Sequence, residues 1–289
     1  MARPSPKRYK PRTNLAIGFT LGLVQVLTPP SLPPHLERQL MQNHPYFSGS
    51  GIALFAHRGY SPPSENTFEA IKHAIDFGAE YIETDVRCTR DGHAVLFHDE
   101  DLKRLTGSEE KVSSLNLKEF KLLKFVQGGS PTTLIEALEQ FPKMKFNLDI
   151  KDPLAVNPTV RAIESCSAHQ RVLISSFSES TRQKAIALVS KPVATSASAS
   201  LVLRVRLRAF FGFGISNLLN NVGALQVPAS MYGIRFDTKR FIRQISKTGT
   251  LIHFWTINDE KSIKRLINRG ANGIVTDNTE LAGRILGKS

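Results

Sequence analysis

Cysteine is nearly missing from this chain: Cys88 and Cys166 are the only two in 289 residues. Neither belongs to a C-x-x-C pair, which excludes a disulfide framework and a cysteine-rich zinc site. The simplest matching expectation is a reducing compartment. The apolar run Leu15 to Leu27, broken by Thr20 and Gln25, falls short of the ~20 residues that a bilayer-spanning helix needs. No internal repeat and no long low-complexity tract is visible, so the chain is not a repeat array. Acidic residues are scarce, 25 against 38 Lys+Arg, for a formal charge of +13. None lies between Glu179 and Asp237, a stretch that holds Arg182, Lys184, Lys191, Arg204, Arg206, Arg208 and Arg235. Such a field attracts anions, whether nucleic acid, an acidic lipid surface or phosphorylated metabolites, and its sign alone does not choose among them.

What is present fits an ordinary globular protein. An apolar share of 41% and a charged share of 22% exclude disorder or a multi-span membrane protein as a description of the whole. The length suits one α/β barrel of roughly 250 residues plus a short extension. The extension is residues 1–50 and the barrel residues 51–289. In the extension, Arg3, Lys7, Arg8, Lys10 and Arg12 precede the apolar run. That order imitates a signal peptide, but Thr28-Pro29-Pro30 stands where a small-residue cleavage site belongs. Signal or anchor, interfacial helix and packed helix stay open as readings. Residues 28–50, first Pro-rich and then polar, read as a connector.

Beyond the connector, short β-type runs alternate with helical patterns, as in βαβ units. The runs are Ile52–Ala56, Tyr81–Val86, Ala94–Phe97, Lys145–Ile150, Val172–Ser175, Val193–Thr195, Ala224–Val227, Leu251–Trp255 and Gly273–Thr276. Nine is one too many for eight barrel strands. The turn at Asp91-Gly92 makes Ala94–Phe97 the return arm of a β-hairpin, and residues 99–131 an insertion after strand two. Alternation by itself fits a barrel or a doubly wound sheet equally.

Three polar segments interrupt this pattern. His57-Arg58-Gly59 ends the first run, and Pro63-Ser64-Glu65-Asn66-Thr67 follows. In Tyr81–Val86, period-two alternation puts Glu83 and Asp85 on one face, with Ile82, Thr84 and Val86 on the other. His98-Asp99 comes next. In Lys145–Lys151 the same rule aligns Asn147, Asp149 and Lys151. Alone, each segment has an ordinary structural explanation: a histidine closing a strand, carboxylates salt-bridged to Arg or Lys, a polar edge strand. Together, on the carboxyl rim of a barrel, they assemble a different inventory. Glu83, Asp85 and Asp149 suit a hard cation. His57 and His98 can supply acid and base near neutral pH. Arg58 and Lys151 can neutralise a phosphoryl group.

At these residues the chain resembles the glycerophosphodiester phosphodiesterase family. Its HRG and PENT motif is matched by His57-Arg58-Gly59 and Pro63-Ser64-Glu65-Asn66-Thr67, with one serine inserted. Its E-x-D, T-x-D-G and HD series is matched by Glu83-Thr84-Asp85, Thr89-Arg90-Asp91-Gly92 and His98-Asp99. Asp149-Ile150-Lys151 matches the third motif, with Asp149 where glutamate is commoner. Trp255–Asn258 and Gly273–Asp277 look like the closing strands. The likeness runs from about residue 45 to residue 286.

The resemblance implies a TIM-type (β/α)8 barrel and hydrolysis of glycerophosphodiesters to glycerol 3-phosphate and an alcohol. It implies one divalent cation, Mg2+ or Ca2+, held by Glu83, Asp85 and Asp149. His57 and His98 would form the acid/base pair, Arg58 and Lys151 would bind the phosphate, and Trp255 would line the substrate mouth. Two alternatives stand beside it: cleavage of lysophospholipids, and a phosphodiester-binding barrel without catalysis. Residues 15–27 and 201–219 are candidate membrane-contact segments. No DNA- or RNA-binding motif accompanies the positive charge, so nucleic acid is not an expected partner. The expected location is cytoplasmic, with contact to the inner membrane face, secretion or N-terminal anchoring remaining open.

Overall fold

Each β-type run becomes a strand, because Val, Ile, Leu and Phe at alternate positions can be buried on a pleated surface. In chain order these are β1 (Ala53–His57), β2 (Tyr81–Cys88), β3 (Ala94–Leu96), β4 (Lys145–Ile150), β5 (Val172–Ser175) and β6 (Ala194–Thr195). There follow β7 (Ala224–Pro228), β8 (Ser230–Met231), β9 (Ile234–Arg235), β10 (Leu251–Trp255) and β11 (Gly273–Thr276). The computed structural model describes residues 33–49, 51–60 and 64–288. The apolar run 15–27 and Pro63 lie outside the described residues.

Eight strands run parallel in the order β6-β5-β4-β2-β1-β11-β10-β7. The two ends of that order meet: Ser196 bridges Ala224, and the Ala197 N–H donates to the Ala224 carbonyl at 3.0 Å. A doubly wound sheet would leave those edges apart, so the fold is the (β/α)8 barrel. β3 folds back antiparallel on β2, pairing Val86 with Leu96 and Cys88 with Ala94, as the Asp91-Gly92 turn predicts. The insertion after it builds a satellite core of its own around Phe97, Leu102, Leu105 and Phe120. A second hairpin, β8 with β9, follows β7 and was not legible in the sequence.

Helices fill the crossovers, and side-chain caps set where they begin. Thr67, Ser178, Ser198, Thr238, Asp259 and Asn278 each accept a hydrogen bond from the backbone three residues on. Thr133 and Glu136 form a reciprocal capping box before the helix Leu134–Gln140. Each cap contributes about 1 kcal/mol.

The strands carry two cores. Outward residues such as Ile82, Val86, Phe146, Leu148 and Ile150 are sealed beneath the helices, each contributing about 1.5–3 kcal/mol by burial. Inward residues Phe55, Tyr81, Leu173, Ala194, Ala224 and Val275 fill the lower interior together with Tyr46. Tyr46 comes from the stretch read as a connector. There the chain forms the helix Pro34–Gln42 and a 3-10 turn, Pro45–Phe47. That turn presents Tyr46, fully buried, edge-on to Tyr81 with ring centroids 5.2 Å apart. The Tyr81 hydroxyl donates to the Tyr46 carbonyl at 3.0 Å. With this floor in place, the inward polar residues cluster at the carboxyl ends of the strands.

Candidate active site

The upper halves of the strands bring the polar segments to one rim. Pairing places His57 of β1 beside Glu83 of β2, and Asp85 of β2 beside Asp149 of β4. His57, Arg58, Glu83, Asp85, His98, Asp149 and Lys151 all line a single cavity of about 430 Å³. Trp255, at the end of β10, lines it too and meets Phe177 edge-on at 6.2 Å.

The turn after β1 needs unusual backbone. Arg58 has φ +58 and Gly59 φ +86, the left-handed region that costs a residue with a Cβ. A Cβ on Gly59 would stand 2.7 Å from the Ala70 carbonyl carbon, so only glycine fits. Asn66, also left-handed at φ +58, closes the turn by donating from its N–H to the Arg58 carbonyl at 2.8 Å. Its side chain donates to Asp85 Oδ2 at 3.2 Å and accepts from Thr84 Oγ1 at 2.7 Å. Strain stored here is repaid by an anchored Asp85 and a guanidinium aimed into the cavity.

Each histidine is oriented by a carboxylate. His57 Nδ1 lies 2.6 Å from Asp277 Oδ1, and Asn258 Nδ2 donates to the other Asp277 oxygen at 2.7 Å. His98 Nδ1 lies 2.7 Å from Asp99 Oδ1. Arg104 donates to Asp99 at 2.6 Å and to both oxygens of Glu65, while Glu65 also accepts from Arg58 at 2.9 Å. With Nδ1 bound to its carboxylate, each ring keeps Nε2 for a substrate. Sequence reasoning did not assign Asp277, Glu65, Asn66, Asp99 and Arg104 roles. Asp277 was findable: it follows Gly273 and Val275 in the inward alternation of β11.

Charge is unevenly compensated. Asp85 stands between Lys151 Nζ at 2.8 Å and Arg58 Nε at 3.0 Å. Burial would raise its pKa, but these two cations outweigh burial and hold it low. Lys151 also donates to Asp149 at 2.7 Å. Burial nonetheless raises the Asp149 pKa, aided by the Asp85 charge. Glu83 fares worst. Burial, then repulsion from Asp85, pushes it up to about 8, and its buried Oε2 has no hydrogen-bond partner. His57 Nε2, at 3.8 Å, is too far to serve. On His57 itself burial lowers the pKa, but the Asp277 hydrogen bond and the Glu83 charge outweigh it and raise the value.

A divalent cation would supply the positive charge that Glu83 lacks, and the all-oxygen donor set of Glu83, Asp85 and Asp149 suits a hard ion. These side chains therefore fit such an ion chemically. Among the described residues, however, no group of three or more His, Cys, Asp or Glu side chains is already gathered as a metal cluster. Lys151 and Arg58 hold Asp85 and Asp149 instead.

Comparison with known proteins places the chain in a family and a shared fold. Residues 57–281 match the model of the Glycerophosphoryl diester phosphodiesterase family. The chain is 35% identical over 242 residues to Probable glycerophosphodiester phosphodiesterase 2 of Mycobacterium tuberculosis, covering 82% of this chain and 91% of that one. A glycerophosphodiester phosphodiesterase structure from Thermotoga maritima superposes with a TM-score of 0.65 at 29% identity, covering 82% of this chain and all of that one. A phosphodiesterase from Oleispira antarctica, solved with the product sn-glycerol-3-phosphate, superposes with a TM-score of 0.66 at 24% identity, covering 82% and 97%.

Proposed function

The chain belongs to the glycerophosphoryl diester phosphodiesterase family, enzymes that release glycerol 3-phosphate from glycerophosphodiesters, and on that premise we propose that it works by two-histidine acid/base catalysis beside a divalent cation. The observation that carries this reading is the pair of imidazoles, each with Nδ1 bound to a carboxylate and each lining the cavity that holds the three acidic side chains.

Glu83, Asp85 and Asp149 would hold the cation, Mg2+ or Ca2+. When bound, it supplies charge neutralisation at the phosphoryl oxygens. This chain's own groups do the rest. Arg58 and Lys151 sit on the cavity wall, where they can bind a nonbridging oxygen and stabilise charge that grows in the transition state. One histidine accepts a proton at Nε2 from the substrate hydroxyl that attacks phosphorus, and the other donates a proton to the departing alkoxide. Water then opens the cyclic phosphate so formed, with the two histidines exchanging roles, to give glycerol 3-phosphate and restore both rings. Asp277 and Asp99 fix which nitrogen faces the phosphorus and stabilise the ring when it is charged. Trp255 and Phe177 border the mouth and limit how the alcohol half enters.

A second reading, lysophospholipid cleavage, is favoured by one feature. Opposite the charged wall, the cavity is lined by Val202, Leu203, Val227, Met231, Ile234 and Phe236. That surface would accept an acyl chain more readily than a polar alcohol.

Purified protein incubated with glycerophosphocholine should release glycerol 3-phosphate, and EDTA should stop the release. Absence of turnover across several head groups, with metal shown to be bound, would overturn the catalytic reading and favour a binding barrel. Turnover that rises with acyl length would favour the lysophospholipid reading.

A further inference from the structure

The helix Ala199–Phe210 is apolar on two faces. Its inner stripe, Leu201, Val202, Val205 and Ala209, is buried in the barrel shell. Its outer stripe follows helical spacing, Leu203, Leu207 and Phe210, and continues into Phe211 and Phe213. Their exposures are 47, 48, 62, 68 and 63%. The tip of the β8–β9 hairpin adds Tyr232, which is 96% exposed. A monomer in water rarely displays so many large apolar side chains together.

Three further observations say what covers this surface. First, it is continuous with the catalytic cavity. Leu203, Met231, Tyr232 and Ile234 are exposed and also line that cavity. The hairpin and helix are tied together where Arg206 Nε donates to the Arg235 carbonyl at 3.1 Å. Second, the charge along this stretch of chain has one sign. Arg204 and Arg208 interleave the stripe and are exposed, and no acidic residue lies between Glu179 and Asp237. Third, the one carboxylate beneath the hairpin is outnumbered. Asp237 is buried and faces Arg269 at 2.6 Å, Arg235 at 3.0 Å and Arg265 at 3.6 Å, so the cluster remains net positive. A protein partner of ordinary composition would offer mixed charge. Aromatic and leucine side chains set among arginines match instead the interface of an anionic bilayer.

We infer that the outer stripe of this helix and the β8–β9 hairpin form a docking surface for an anionic phospholipid bilayer, which holds the cavity mouth at the lipid interface. The apolar side chains enter the headgroup layer, the arginines meet lipid phosphates, and the shared residues lead from the bilayer into the cavity. This rests on the catalytic reading of the cavity only for its purpose, not for the binding itself. No helix among the described residues is long and apolar enough to cross a membrane, so this contact is peripheral.

The test uses the full chain and vesicles of phosphatidylcholine alone, or with about a third phosphatidylglycerol, in a flotation assay. The wild-type chain should float with the anionic vesicles, fall off as salt rises, and ignore the neutral ones. Phe211→Ser with Phe213→Ser should lower the partition coefficient about tenfold or more. Arg204→Ala and Arg208→Ala should each lower it about fivefold. None of these side chains lines the cavity, so hydrolysis of soluble glycerophosphocholine should stay at wild-type values. Arg208 also donates to the Gly214 carbonyl at 2.9 Å, so Arg204→Ala is the variant whose thermal midpoint should not move. Equal partitioning of wild type and variants would overturn the inference, as would equal binding to both vesicle types. A dimer in lipid-free solution that the phenylalanine changes dissolve would assign the stripe to a second copy and also overturn it. Failure to hydrolyse glycerophosphocholine would sink the catalytic reading while leaving the vesicle result standing.

Discussion

His253 should make this protein acid-labile. Its imidazole points inward from β10, 1% exposed, tilted against Phe55 with ring centroids 4.8 Å apart. Neither ring nitrogen has a hydrogen-bond partner. Burial alone lowers its pKa from 6.5 to about 3, because an imidazolium there would lose its hydration and gain nothing. In the unfolded chain the ring returns to its ordinary value. Between those two values the unfolded state binds a proton that the native state refuses, so stability falls as pH falls. The full contribution is present above pH 6.5 and is lost progressively down to about pH 3. Protonation of the unfolded ring costs the fold almost nothing at pH 7 and about 2 kcal/mol at pH 5. Urea unfolding followed by Trp255 fluorescence at about pH 7 and pH 5 measures this loss. His253→Leu removes the titrating ring and two unsatisfied nitrogens, at similar volume. It should hold or raise stability at pH 7 and reduce the pH-dependent loss by about 2 kcal/mol. An identical loss in wild type and variant would refute the reasoning, because other groups would then carry the whole acid response.

Four further outcomes follow from the site and its supports. His57→Gln and His98→Gln should each lower kcat with glycerophosphocholine by about a hundredfold to ten-thousandfold while leaving the circular dichroism spectrum unchanged. Asp277→Asn keeps the shape but not the charge that orients His57, and should cost at least about a hundredfold in kcat, with the thermal midpoint little moved. Glu83→Gln should weaken metal binding measured by calorimetry, and dialysis against EDTA should abolish turnover until Mg2+ or Ca2+ is restored; full activity after verified metal removal would overturn the cation assignment. Gly59→Ala should destabilise by about 1–3 kcal/mol or fail to fold, because it combines a left-handed φ with a 2.7 Å approach to the Ala70 backbone; a variant as stable as wild type in urea would show the turn to be adaptable.

The parts of this molecule that repeat with a period were legible before any coordinates. Alternation in Tyr81–Val86 and Lys145–Ile150 correctly put Glu83, Asp85, Asn147 and Asp149 on the inner face and the aliphatic residues on the outer one. The Asp91-Gly92 turn identified the hairpin of β2 with β3. What lacked a period was hidden. β8 and β9 are two residues each, too short to show alternation. Tyr46 sits in a 3-10 turn within polar, proline-containing sequence, which composition alone reads as a connector. The partners of Asp85 could not be deduced either. Spacing places a carboxylate and a cation on one face, but which lysine or arginine reaches it depends on strands distant in sequence. Asp277 escaped because the strand pattern was cut at Thr276, one residue before the side chain that orients His57.

Tyr46 also determines where this protein can be cut. Its ring is a stopper pushed into the amino-terminal end of the barrel from outside the βα repeat, with Phe55 and Tyr81 as the neck that grips it. A truncation beginning at residue 51 would keep every strand and every charged side chain of the catalytic rim. It would also strip the lowest ring from the barrel floor and leave the stacked Phe55 and Tyr81 facing solvent. Any shortened version meant to keep that floor has to start ahead of Pro45, where the turn that carries Tyr46 begins.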